Sequence, residues 1–202
     1  MKKALILAVF LICASLAVSA QGLYLDVGIG FGKAWTVFDG DDVVDELGSD
    51  VHAIAIDLGL KAGYGPFGKI PLYVVGELGG MGHRIYKNLD YIQFNSYIIG
   101  PGVIFYPIPL IQLGLSMGYS YVSNQSNLSS LDEIYGYNSK GGFAYNISAA
   151  VDLGFLGNHG TLIGIKYFNA INTLEVLDAS EKSSMISIFV RYTHRKKPPL
   201  LF

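Results

Sequence analysis

Seven charged residues stand among small or polar neighbours two positions away: Asp26, Asp57, Lys61, Glu77, Asp152, Lys166 and Arg191. Gathered inside one structure, these acids and bases would neutralise one another as a buried ionic network. A second acidic group, Asp39, Asp41, Asp42, Asp45, Glu46 and Asp50, is confined to one short stretch. Oxygen-rich clusters can hold calcium, but this one lacks the fixed glycine and terminal glutamate of an EF-hand loop and reads as a solvated acidic loop. His52 and His83, with Ser96 and Asp57 as partners, are the groups from which a hydrolytic base and nucleophile would be assembled. No nucleophile elbow or triad signature surrounds them, so no enzyme is expected. Gly28-Ile29-Gly30-Phe31-Gly32-Lys33 imitates a phosphate loop without the helix that such a loop needs. No cofactor or metal site is expected. Asn124-Gln125-Ser126 and Asn127-Leu128-Ser129 read as ordinary polar loop residues.

The elements that must hold these groups alternate with period 2, the signature of strands with one apolar face. Leu23, Leu25, Val27, Ile29 and Phe31 are set against Tyr24, Asp26, Gly28 and Gly30. Ile54, Ile56, Leu58, Leu60 and Tyr64 alternate with Asp57, Gly59 and Lys61, and Ile111 to Tyr121 alternates with Gln112, Gly114, Ser116 and Ser120. Phe143, Tyr145, Ile147, Val151, Leu153 and Phe155 oppose Asn146, Ser148 and Asp152, and Ile186, Ile188, Val190 and Tyr192 oppose Ser187 and Arg191. Three weaker segments, Leu72 to Met81, Tyr91 to Tyr106 and Leu162 to Ala170, are blurred by Val75, Ile98, Ile104 and Phe168. Together these make eight strands.

All seven charges fall on the small and polar face. An Arg or Lys facing lipid at mid-depth costs about 2–4 kcal/mol, so that face belongs inside a barrel and the apolar face belongs to lipid. Lys33 and Arg84 break the rule near strand ends, where a long side chain can snorkel. The first and last strands must pair for closure, so Asp26 is expected against Arg191, with Lys61 across from Asp26 on the next strand. The expected result is an ionic plug. Above it the inward residues are small, including Gly30, Gly32, Ala53, Ala55, Gly79, Gly118, Ala144 and Ser148, with Met81, Met185 and Gln93 placed to fill the remaining space.

Composition agrees with a membrane barrel. The chain has 202 residues, 51% hydrophobic and 15% charged, against about 25% charged in a soluble domain. Mean hydropathy is +0.39, yet after the first twenty residues no apolar run approaches the length of a membrane helix. A closed barrel is the remaining way across a bilayer. With 14 basic and 16 acidic residues there is no basic footprint for nucleic acid. Lys2 and Lys3, the apolar Ala4–Leu16 run and Ala17-Val18-Ser19-Ala20 form a cleavable secretory signal peptide over residues 1–20. The single cysteine, Cys13, lies within it.

The barrel is expected over residues 21–194 and a basic tail over 195–202. Connections alternate short (Gly65–Ile70, Tyr106–Pro109, Leu156–Gly160) and long (Phe38–Asp50, His83–Asp90, Ser123–Lys140, Asn169–Ser183), which places both termini in the periplasm. Outward Phe31, Trp35, Tyr119, Tyr121, Phe143, Tyr145 and Tyr167 then gather toward the exterior interface, and Tyr64, Phe105, Phe155 and Tyr192 toward the other.

The opening Leu23-Tyr24-Leu25-Asp26-Val27-Gly28-Ile29-Gly30-Phe31-Gly32, the Phe105-Tyr106-Pro107 strand exit and the closing Ile186-Ser187-Ile188-Phe189-Val190-Arg191-Tyr192 resemble the small bacterial outer-membrane β-barrels of the OmpW, OmpX/Ail and opacity-protein types. That resemblance implies an eight-stranded antiparallel up-and-down barrel, with Val190 and Tyr192 as the signal read by the barrel assembly machinery. It implies outer-membrane lipid and a host or extracellular ligand at the exterior loops as partners. For an OmpW-like protein it implies a narrow channel for small or hydrophobic solutes. Seven lumenal charges weigh against an apolar conduit, so surface binding or adhesion comes first, a channel second and a lipid-modifying enzyme last.

Overall fold

The computed structural model describes residues 22–48, 50–67, 69–87, 90–127, 138–174 and 179–197. The signal peptide expected over residues 1–20 and the part of the expected tail beyond residue 197 lie outside the described residues, as does much of the stretch that carries Asn127-Leu128-Ser129.

The strands are β1 (Leu23–Phe38), β2 (Asp41–Asp42), β3 (His52–Tyr64), β4 (Leu72–Lys87), β5 (Asp90–Ile108), β6 (Ile111–Ser126), β7 (Ser139–Asp152), β8 (His159–Leu174) and β9 (Ser180–Arg195), with a short helix α1 (Val43–Leu47) after β2. Each long strand pairs antiparallel with the next, and β1 closes onto β9 from Tyr24↔Arg195 to Phe38↔Glu181. Eight strands, all but β2, thus form one ring. A closed ring leaves no long strand with a free edge, which is what makes a sheet tolerable in hydrocarbon.

Alternation decides which side chains face where. Outward positions carry Ile56, Leu58, Leu78, Ile99, Leu115, Ile147, Ile165 and Ile188, all exposed, while Asp26, Asp57, Lys61, Glu77, Asp152, Lys166 and Arg191 are buried inside. Such an arrangement inverts that of a soluble barrel and is stable only with lipid outside. The weak segments are full strands, and the residues that blur them have one explanation. Val75, Ile98, Ile104 and Phe168 all point inward and fill apolar layers of the interior.

The start of β1, the end of β9 and the three short turns lie at one end of the barrel, here the terminal end; the other is the loop end. At the loop end the strands run further than the sequence suggests. Expected as a long loop, His83–Asp90 is mostly strand, because Lys87 pairs with Asp90 across a two-residue connection. Above the lipid both faces of a strand can be polar, and the period-2 signal fades there without the strand ending. At the terminal end, β7 stops at Asp152, so Phe155 sits in a turn. Strand β9 continues through Arg195, which is a buried barrel residue and not part of a tail.

Candidate functional site

The interior is built in layers, each fixed by the inward face of several strands. Tyr24, Tyr73 and Tyr106 make the layer nearest the termini, with ring centroids 5.2 Å apart for Tyr24–Tyr73 and 5.8 Å for Tyr73–Tyr106. Gln112 donates to the hydroxyls of Tyr24 (3.0 Å) and Tyr106 (2.8 Å), Tyr106 donates to Asp152 (3.1 Å), and Tyr73 donates to the carbonyl of Lys196. Arg195 pairs with Asp152 and lies over the Tyr106 ring at 5.2 Å.

The ionic layer lies next. Arg191 reaches Asp26 and Asp57, each at 3.7 Å, and Lys166 pairs with the other oxygen of Asp57. Ser187 donates to Asp57 at 3.4 Å, and Lys61 stands 3.4 Å from Glu77. The cations also rest on aromatic faces: Arg191 lies 4.2 Å from the Phe189 centroid and Lys166 5.6 Å from that of Phe168. Aromatic faces offset part of the desolvation of a buried cation. Strand register sets the pairing, since Asp26 lies opposite Lys61, Lys61 opposite Glu77 and Gly28 opposite Arg191.

The seven sequence-derived charges therefore share one interior, and Arg195 joins them. Asp26, Asp57, Glu77 and Asp152 are then matched by Lys61, Lys166, Arg191 and Arg195, four against four. Low-dielectric burial makes this balance consequential, because an unmatched charge there is costly.

Above the charges, Ala34, Ala55, Met81, Ile98, Ala144, Phe168, Ala170 and Met185 form an apolar layer. Gln93, expected to help fill this space, instead faces outward beside Arg84. A polar layer follows, in which Asn172 donates to Ser120 (3.0 Å) and Thr36 shares a hydrogen bond with Nδ1 of His83 (2.9 Å). Asn124 (2.5 Å) and Ser183 (3.1 Å) both donate to Glu181. The outward residues beside Glu181 are Ser180 and Lys182, and the apolar outward face of β9 begins only at Ile186, so Glu181 stands above the lipid. Burial pushes its carboxyl up to about 7. His83 and Asp57 are thus engaged with Thr36 and with Lys166, and His52 is exposed, so the hydrolytic set weighed from sequence is not assembled.

A short helical segment, a lid over part of this end, packs against the inner faces of β4 and β5. Asp42 caps α1 by accepting from the Val44 amide at 2.9 Å, Asp45 and Glu46 occupy the first turn, and Gly48 ends the helix at φ 91°. Acidic residues at a helix start interact favourably with its dipole. Val43 is fully buried against Ile85, Ile92 and Phe94, with Phe38, Leu47 and Val51 packed around them, and Lys87 donates to the Leu47 carbonyl at 2.7 Å. The acidic segment is consequently a folded cap whose Asp39, Asp41, Asp45, Glu46 and Asp50 face solvent. Among the described residues no cluster of metal-ligating groups occurs.

The outward aromatics fall in two groups and one exception. Tyr119 and Phe143 are cross-strand partners, Phe143, Tyr145 and Tyr167 follow one another at 6.4 and 6.1 Å, Tyr121 pairs with Tyr97, and Trp35 lies under Lys33 at 5.5 Å. Near the terminal end Tyr64 packs on Phe67 (5.8 Å), Phe105 is half-buried, and Tyr192 bonds His159 at 2.5 Å beside outward Val190. Phe31 stands in mid-strand between Ile56 and Ile188.

No family model and no curated protein matches the chain. Solved structures do. Ail, the attachment invasion locus protein of Yersinia pestis, in complex with the heparin analogue sucrose octasulfate, aligns over 85% of this chain and 99% of its own at 15% identity and a TM-score of 0.50. Neisserial surface protein A aligns over 84% and 95% at 16% identity and 0.47, and OprG of Pseudomonas aeruginosa over 86% and 96% at 13% and 0.43. The fold is that of a small bacterial outer-membrane β-barrel. Within that architecture the interior of this barrel is occupied by its own side chains, as the narrow bore of eight strands favours. Sequence reasoning missed Arg195, Glu181, the tyrosine layer and the lid. Asp42 followed by Asp45, Glu46 and Gly48 was a readable helix start and stop.

Proposed function

We propose that this protein is an integral outer-membrane barrel whose lumen is closed and whose function is carried at its surface, in binding or adhesion at the loop end. The observation that carries the reading is the stack of tyrosine, ionic, apolar and polar layers beneath the packed α1 lid. A solute would have to break each layer in turn. In this reading the signal peptide is cleaved, both termini are periplasmic, and the basic residues after Arg195 lie beneath the barrel. Outer-membrane lipid surrounds the apolar face. The barrel assembly machinery reads Val190 and Tyr192 on β9, and an extracellular or host ligand meets the loops. Ail, named for attachment and invasion, supports a surface role by likeness of fold. Its sulfated ligand is a poor guide to this lid, whose exposed carboxylates would repel a polyanion.

Planar-bilayer recordings of the refolded mature chain test the closed lumen. A silent membrane is expected after circular dichroism and heat-modifiable gel migration have established the folded barrel. Discrete conductance steps would overturn the closed lumen and favour a narrow channel.

A further inference from the structure

On the outward side of β4, Gly80 and Gly82 leave a trough between Ile56 and Leu58 of β3 and Asn95 and Tyr97 of β5. The trough has a volume of about 870 Å³ and runs from Leu78 toward Arg84 and Tyr86 at the loop end. Its walls are mostly apolar below Arg84. Six residues of strand cover about 20 Å, and at the usual barrel tilt this descends about 15 Å, half of a hydrocarbon core of about 30 Å. Its length is therefore that of one leaflet.

The upper end is polar and prepared. Arg84 donates from Nε to Gln93 at 2.7 Å and from Nη2 to the same oxygen, and its guanidinium lies 4.6 Å from the Tyr91 centroid. Gln93 donates to Asn95 at 2.6 Å, and Asn95 donates to the Ser123 carbonyl at 2.9 Å. Neutral amides thus fix the guanidinium without cancelling its charge, and among the described residues no carboxylate forms an ion pair with it. A fixed, uncompensated guanidinium at headgroup depth is matched by a phosphate, which its planar donors grip well. The floor is shaped by absence of side chain: a Cβ at Gly82 would meet only Asn95 Oδ1 at 3.3 Å, so a larger residue there would fill the trough.

We propose that this trough binds one membrane lipid whose phosphate headgroup is net anionic, its phosphate on Arg84 and an acyl chain lying along Gly82 and Gly80. The inference rests on the membrane reading above. A Tyr97→Trp reporter in a Trp35→Phe background places the only tryptophan in the trough, in the full mature chain refolded into phosphatidylcholine vesicles. Quenching by chain-brominated phosphatidylglycerol is compared with quenching by chain-brominated phosphatidylcholine at equal mole fraction. At least a threefold preference for the anionic lipid is expected, falling to near unity in Arg84→Gln and persisting in Lys33→Gln. Gly82→Leu should weaken quenching by both lipids. Equal quenching by the two lipids in the parent reporter would overturn the proposal by itself, as would a preference that survives Arg84→Gln or quenching unaffected by Gly82→Leu. Heat-modifiable migration of each variant separates these outcomes from failure to insert, which would count against the membrane reading instead.

Discussion

Asp57 is the hub of the ionic layer, and its replacement by Asn is the sharpest test of the layer's energetics. The carboxylate pairs with Lys166, takes Arg191 at 3.7 Å and accepts from Ser187 at 3.4 Å. After Asp57→Asn, Arg191 keeps Asp26 at 3.7 Å, but Lys166 loses the one carboxylate with which it is paired among the described residues. The loss is therefore that of one buried cation left uncompensated, about 3–5 kcal/mol. With a urea dependence of about 2 kcal/mol per molar, the unfolding midpoint should fall by about 2 M. Trp35, the single tryptophan, reports unfolding from vesicles in a urea titration. The double variant Asp57→Asn, Lys166→Met removes the orphaned cation too, and should recover most of the loss. A single variant within about 0.5 kcal/mol of the parent would refute the reasoning. So would a double variant less stable than the single.

Two further outcomes follow from the loop end. Val43→Asp places a charge where α1 packs on Ile85, Ile92 and Phe94; it should speed proteolysis within residues 39–51 on intact vesicles while the barrel keeps its heat-modifiable migration, and unchanged cleavage would count against a docked lid. Glu181, with its carboxyl raised from 4.5 to about 7 by burial, binds its proton more tightly folded than unfolded. Stability should accordingly fall as pH rises from about 4.5 to 7, by up to about 3 kcal/mol, and stay low above that window. Glu181→Gln should flatten that fall in urea titrations across the window, and an identical slope in the variant would contradict the assignment.

The phase of the barrel was legible because lipid outside and charge inside impose opposite chemistries on alternate residues. Asp26 against Arg191 followed from that phase together with closure. What escaped detection lay where the rule has no force. Phe168 and Ile98 look misplaced until the interior is seen to contain an apolar layer of its own. Arg195 stands beside Lys196, Lys197 and two prolines, so its local composition spoke for a tail although its parity with Arg191 placed it inside. Gln93 has the parity of outward Tyr97 and Ile99, and only its polarity suggested the lumen. The lid was lost because its six acids dominated its composition, while Val43 and Leu47 determine how it packs.

The seam between β1 and β9 joins the first described strand to the last. Contacts so distant in sequence are slow to form, because the whole intervening chain must be ordered before they reward it. Hairpins β3–β4, β5–β6 and β7–β8 have local partners and can assemble early, whereas β1 gains its second neighbour only when β9 arrives. A chain halted before β9 would carry two raw strand edges, a template for aggregation. Strand β9 also carries Arg191 and Arg195, so Asp26, Asp57, Glu77 and Asp152 gain their full set of matching cations only as the sheet becomes a cylinder.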